Sequence, residues 1–424
     1  MTDPGGGKAS RQIGGLAAAL LAFNGLVGAG IFVLPGLVFA EFGAFGPWLF
    51  PLFGLLMLIV VVPLAAAAAR FDISGGPMAY VRDAFGPAAG FQAGWLYYLA
   101  KLTALAANAT VFASYAVGLF PQADGAVQKA LIVVLLLAGL GAANWAGLKR
   151  AVRVLEWVSV LKAAPLILFA LAGLLLFWSA LPAPGPLPPL SALEASALVI
   201  FYAFVGFENV LVAAGETKDA RRTIPRALVQ TILATALFYF LIQLAFTAVA
   251  PEARAEAPMI AFGAAIAGTA GAVVMTLTAL MSLVGNLHSN LLSTPRMTDA
   301  MAAQGLLPAW FGRRDARFGT PANAILFFTV AAILLALSGG FVLLAVLGTV
   351  ARLILFLMVY AAIPRLRATK GERAMPPPAL LAIIGGATLI CLWALAQNEP
   401  KAWVLLAASV GVGTLLYLVA RRRA

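Results

Sequence analysis

Residues 13–40 read IGGLAAALLAFNGLVGAGIFVLPGLVFA, an apolar run with no charged residue, interrupted in its middle by Asn24, Gly25, Gly28 and Gly30. A bilayer core of about 30 Å requires about 20 apolar residues in a helix, so the run is long enough to span. The apolar region of a cleaved signal peptide is only about 7 to 15 residues, so this segment is expected to stay in the mature chain. Outward from it the pattern repeats. Further spans are expected near residues 45–69, 88–119, 129–147, 154–180, 191–214, 227–250, 259–293, 322–337, 340–363, 378–396 and 402–420. Continuous apolar runs, not ten-residue stretches of alternation, exclude a β-barrel. With 63% hydrophobic and 10% charged residues the composition also excludes a soluble domain, which runs near a quarter charged. The expected fold class is an all-α integral membrane protein of about twelve transmembrane helices.

The net charge of +12 would suggest nucleic acid in a soluble protein, but here the positions of the charges matter more than their sum. With the N-terminus inside, 22 Lys and Arg residues fall in inner segments, from Lys8 and Arg11 to Arg421–Arg423, and only Lys129, Arg254 and Lys401 fall in outer loops. The positive-inside rule then places both termini in the cytoplasm and the chain as a multi-pass protein of the cytoplasmic membrane. The partners are the lipid bilayer and a small solute, not nucleic acid. The lone Cys391 has no disulfide partner and no neighbouring ligands for a metal, so neither metal nor cofactor is expected. The longest inner loops are expected at 70–87 and 294–321, and no soluble domain is appended.

Two spans combine glycines with polar groups. The first carries Gly25, Gly28 and Gly30. The sixth reads Phe201-Tyr-Ala-Phe-Val-Gly-Phe-Glu-Asn209. In transporters built from inverted repeats, equivalent helices of the two halves break near the midplane and offer half-helix ends to the substrate. Broken backbone is tolerated at that depth only where it is buried in protein or lines a cavity. The competing reading of the glycines is close helix packing through small residues. The matching interruption five spans later, beside Glu208, favours a binding site.

At these residues the sequence resembles the amino acid-polyamine-organocation superfamily, specifically its amino acid permeases. Gly25-Leu-Val-Gly-Ala-Gly-Ile-Phe32 is similar to that family's first-helix signature, with Ala29 where many relatives carry serine. Phe204-Val-Gly-Phe-Glu208 resembles the sixth-helix signature, Glu216-Thr-Lys-Asp-Ala-Arg-Arg-Thr-Ile-Pro-Arg226 the inner loop that follows, and Pro295-Arg-Met-Thr-Asp-Ala-Met301 with Gly305-Leu-Leu-Pro308 the loop after the eighth helix. The resemblance implies a leucine-transporter-type fold of two inverted five-helix repeats, here 11–180 and 191–365. These follow a flexible cytoplasmic tail, 1–10, and precede two peripheral helices with a basic tail, 376–424. It also implies alternating access around a central site, Tyr202 as an aromatic gate, and Asn290 as a pocket position. Lys162 matches the fifth-helix lysine of sodium-independent relatives, where an ammonium stands in for a sodium ion.

Ionisable residues at membrane depth cost at least about 2.5 kcal/mol and are functional candidates by default. Lys101, Lys162, Glu208 and Arg352 qualify. Lys162 reads either as a fixed ionic strut or as a titrating coupling group. Glu208 reads either as a proton carrier or as a cap on amides freed at Gly206. Lys101 and Arg352 read as structural, and His288 as a hydrogen-bonded histidine. An amino acid substrate brings a carboxylate suited to the amides of Val27, Gly28, Ala29, Gly30 and Ile31, at the positive end of a half-helix. Its ammonium suits the carbonyls of Tyr202, Ala203, Phe204 and Val205 ahead of Gly206. Apolar walls from Ala29, Tyr202, Phe204 and Phe207 favour a neutral amino acid.

The function expected is therefore secondary active transport of amino acids or related amines, sodium-independent, with protons as candidate co-substrate or with exchange. Export or antiport of cationic amino acids or polyamines is the alternative, because Glu208 could serve a cation. An intramembrane enzyme would need a nucleophile, metal or base constellation, and no His/Cys cluster, Gly-x-Ser-x-Gly elbow or nucleotide loop is present. A channel would be expected to show a repeated filter or rings of charge.

Overall fold

The computed structural model describes residues 25–69, 76–119, 125–147, 163–181, 183–212, 217–251, 256–369, 371 and 375–423. Among them the chain is helical, with no strand: α1 Gly30–Phe42, α2 Gly46–Ala68, α3 Gly76–Phe85, α4 Pro87–Leu119, α5 Ala126–Trp145, α6 Ala163–Leu176, α7 Leu190–Tyr202, α8 Glu208–Val212, α9 Ala220–Val249, α10 Pro258–Ala303, α11 Ala322–Ser338, α12 Phe341–Thr369, α13 Pro378–Ala396 and α14 Pro400–Arg423. Eight stretches, with Gly30–Ala68 taken as one, are long and apolar enough to cross a membrane. α6, α7 and α11 are shorter apolar helices.

α4 is the centre of the bundle. Of its most apolar window 89% is buried, against 17% for α5 and 22% for α13 and α14. It is nevertheless the least hydrophobic of the eight. Both facts follow from its sequence. Small residues, as in Ala106-Ala-Asn-Ala-Thr110, let neighbouring backbones approach, and polar side chains are affordable on a helix that touches protein on all sides. α4 packs chiefly on α10 and α12, while α2 packs on α9. The apolar surfaces of α5, α13 and α14, with Leu131, Leu135, Leu389 and Leu415 exposed, are those suited to lipid. Tyr115 on α4 ties three elements together: its hydroxyl donates to Phe32 O at 2.7 Å and accepts from Met259 N at 3.2 Å.

Two expected loops differ from the structure. The segment 70–87 contains α3, whose Gly76, Pro77, Ala79, Tyr80 and Val81 are buried; its low apolar content hid it. The helix expected at 259–293 runs on to Ala303 and bends at Ala267 and Gly268, which leave helical geometry. It passes Pro295 and continues because Thr298 and Met301 are buried, Met301 against Gly94 of α4. Across the bend, Gly263 and Gly271 meet backbone to backbone, where neither has room for a side chain.

Candidate functional site

The two glycine-rich interruptions become breaks in the helical path, and they touch. Residues Val27–Ala29 are non-helical before α1, and Ala203–Phe207 are non-helical between α7 and α8. Gly206 has φ +118°, a conformation L side chains rarely adopt. A Cβ on it would lie 2.7 Å from Gly25 C and 3.3 Å from Leu26 N. A Cβ on Gly25 would meet Gly206 O and lie 2.7 Å from Asn209 Nδ2. Only two glycines allow the breaks to come this close.

At the first break, Gly28 N donates to Leu26 O at 3.0 Å, and Ala29 N donates to the side-chain carbonyl of Asn108 at 2.9 Å. Asn108 belongs to a chain of amides: its Nδ2 donates to Asn286 Oδ1 at 3.0 Å, and Asn290 Nδ2 donates to the same oxygen at 2.9 Å. At the second break, a tightened turn carries Phe204 N to Phe201 O at 2.9 Å. Among the described residues the carbonyls of Ala203, Phe204 and Val205 accept no hydrogen bond, which leaves acceptor capacity where the path is broken.

Glu208 is fully buried. Its Oε2 accepts from Gly206 N at 2.8 Å, so it caps the break. Its Oε1 accepts from Arg352 Nε at 2.6 Å, an ion pair that is 3% and 0% exposed. Arg352 also donates to Gly348 O on its own helix. Lys101 Nζ donates to Asn209 Oδ1, which also accepts from Tyr97 OH at 3.1 Å, and the ammonium lies 5.3 Å from the Tyr97 ring centroid.

These groups surround a cavity of about 260 Å³. Of the sequence-predicted positions, Gly28, Tyr202, Val205, Gly206 and Asn290 line it. Val27, Ala29, Ile31, Ala203 and Phe204 are buried behind that surface. Gly30 faces Tyr239, Leu34 and Tyr202. Glu208 stands behind the wall with Arg352 in front of it. Lys162 lies outside the described residues. His288 lines a separate pocket beside Asn144 and Arg296.

Sequence reasoning passed over Tyr97, Asn108, Asn209, Asn286, Ser289 and Ser293, and it left Lys101 and Arg352 as structural, yet all eight line the cavity. A signal was present. Tyr97, Lys101, Ala104 and Asn108 recur at helical spacing, as do Asn286, Ser289, Asn290, Ser293 and Met297, and each set marks one face of a helix. Along α10 this wall descends three turns toward Arg296, and Ser289 and Ser293 are exposed. At the other end Tyr202 meets Phe341 edge to face, with ring centroids 5.4 Å apart. Among the described residues no group of three or more His, Cys, Asp or Glu side chains is arranged to hold a metal.

A buried bundle with a polar cavity between two touching helix breaks defines a helical membrane transporter. The chain belongs to the amino acid permease family, whose model matches residues 13–417. It is similar to an uncharacterized transporter of Mycobacterium tuberculosis, with 30% identity covering 97% of this chain and 91% of the relative. It is also similar to a methylthioribose transporter of Bacillus subtilis, with 27% identity over 98% and 94%, and to a gamma-aminobutyric acid permease of the same organism, with 25% identity over 95% and 92%.

Proposed function

We propose that this permease moves amino acids, chiefly neutral ones, across the cytoplasmic membrane by alternating access. Its two inverted five-helix repeats, 11–180 and 191–365, would be arranged around the cavity, flanked by the tail 1–10 and the peripheral segment 376–424. The observation that carries this reading is the cavity itself, bounded by both helix breaks, by unpartnered carbonyls and by a row of asparagine amides. Such a surface offers acceptors to an ammonium and donors to a carboxylate without covalent chemistry. With the basic end of α10 in the cytoplasm, as the distribution of Lys and Arg favours, the exposed Ser289 and Ser293 make this conformation inward-facing. The Tyr202–Phe341 pair then closes the outer side, and labelling a cysteine placed at Ala424 from each face reads the orientation.

Export of cationic amino acids or polyamines is disfavoured by charge. Lys101 and Arg352 both line the cavity, while both oxygens of Glu208 are engaged by Arg352 and Gly206. A second cation about 4 Å from the Lys101 ammonium would be repelled by about 4 kcal/mol at an effective dielectric near 20. Sodium independence rests on Lys162 and its resemblance to the fifth-helix lysine. Proton coupling and exchange remain the two energetic modes proposed.

Uptake of a radiolabelled amino acid panel into proteoliposomes, with and without a pH gradient, internal substrate, and sodium against choline, tests the reading. Saturable uptake of neutral amino acids without sodium is expected. Sodium-dependent uptake refutes the Lys162 assignment, and non-saturable flux without counterflow refutes the carrier.

A further inference from the structure

Lys101 is a buried cation whose hydrogen bond goes to a neutral amide. It is 8% exposed, and among the described residues it forms no ion pair. Its one hydrogen-bond partner is Asn209 Oδ1, although an ammonium carries three donors. The nearby carboxylate, Glu208, is already held by Arg352 and by the Gly206 amide. A strut to Asn209 would need only a neutral donor, whereas a charge at this depth is expensive. Lys101 lines the cavity, so space for an anion lies beside it. Meanwhile one amide of the first break that would suit a carboxylate, that of Ala29, is occupied by Asn108.

From this juxtaposition we infer that Lys101 is the receptor for the substrate's carboxylate and the residue that makes the site demand one. The inference rests on the amino acid transport reading and deepens it. A bound carboxylate supplies a direct anionic partner for Lys101, with the Asn286 amide and the Ser289 hydroxyl on the facing wall as further donors. The ammonium of the same solute turns toward the unpartnered carbonyl of Val205. A solute without a carboxylate leaves Lys101 uncompensated and adds a second positive charge.

The test is binding to purified full-length protein in detergent, read by ligand-induced thermal stabilisation. Each amino acid is paired with the amine lacking its carboxylate. The wild type is expected to bind amino acids and not the amines. Lys101→Met should weaken amino acid binding roughly tenfold or more, the value of a hydrogen-bonded charge, and narrow the difference from the amines. Lys101→Arg should restore discrimination. Asn209→Asp is the near-isosteric second variant. It places a fixed carboxylate against the ammonium and should lower amino acid affinity with Lys101 still present, which covers the case in which Lys101→Met fails to fold. Preserved discrimination in Lys101→Met, or unaltered affinity in Asn209→Asp, overturns the assignment while leaving amino acid transport standing. If the wild type binds no member of the amino acid panel, both the transport reading and the assignment fall.

Discussion

Replacing Gly206 by alanine should damage the protein more than replacing Gly28 by alanine, although both glycines line the same cavity. At Gly206 two penalties combine. Its φ of +118° is rarely adopted by L side chains, and such strain costs about 1–3 kcal/mol. The added methyl would also sit 2.7 Å from Gly25 C and 3.3 Å from Leu26 N. Ordinary carbon contacts are about 3.5–4.0 Å, so the breaks would have to part by about 1 Å. Overpacking of that kind costs about 1–3 kcal/mol. Together the loss is about 2–6 kcal/mol, a large part of a typical folding free energy of about 5–15 kcal/mol. A Cβ on Gly28 instead meets Asn108 Oδ1 at 3.4 Å and Asn286 Nδ2 at 3.5 Å, ordinary contact with side-chain atoms. Gly28→Ala should therefore change stability by less than about 1 kcal/mol. Apparent melting in detergent, followed by size-exclusion fluorescence at a fixed heating rate, reads the difference. Gly206→Ala is expected to melt well below the wild type and to lose uptake, with Gly28→Ala close to the wild type in stability. Equal melting of Gly206→Ala and the wild type would refute the proposed contact between the breaks.

Two further perturbations test other parts of the structure. Glu208→Gln strands Arg352 at 3% exposure and should destabilise by about 3–5 kcal/mol, whereas Glu208→Gln combined with Arg352→Met should recover part of that loss; a double variant no better than the single one would rule out the pair as the main interaction of either residue. In the loop before α11, Asp315 accepts from Trp145 Nε1 at 2.9 Å, and this bond, ahead of those from the Phe318 and Arg317 amides, holds its carboxyl below the usual range. A depressed folded-state value means stabilisation that is present above the unfolded value and lost as pH falls through the folded one. The melting advantage of the wild type over Asp315→Asn should thus be full at neutral pH and shrink below the usual carboxylate range; a pH-independent gap would exclude the charge.

What could be read from the sequence was whatever depends on neighbours along the chain. The breaks were legible because Gly28, Gly30 and Gly206 sit beside polar groups inside apolar runs, and family membership was legible from the ordered motifs. The contact between Gly25 and Gly206 was not, because nothing local encodes which distant backbone a glycine admits. α3 was missed because a short helix of modest apolar content has no membrane signature. The polar stripes on α4 and α10 were legible by spacing, but a hydropathy reading averages over the faces of a helix and so erases them.

Lys101 and Arg352 show why residue type at depth does not determine role. In sequence they are equivalent: single cations in apolar spans, each needing compensation. Arg352 finds it in a carboxylate 144 positions away, and that same carboxylate closes the break at Gly206. Glu208 spends its direct bonds on Arg352 and the Gly206 amide, so it is a neighbouring charge to Lys101 and not a bonded partner. Among the described residues the charged groups at the cavity are two cations, Lys101 and Arg352, and the carboxylate of Glu208 behind them, counting the three in their ordinary charge states. An excess charge in a bundle core favours whatever conformation or ligand neutralises it. Differential interaction with bound solute is what shifts the equilibrium between a carrier's conformations, and a carboxylate placed against Lys101 would be such an interaction. On the assignment proposed above, Lys101, which forms no ion pair among the described residues, is half of a pair whose other half arrives from solution.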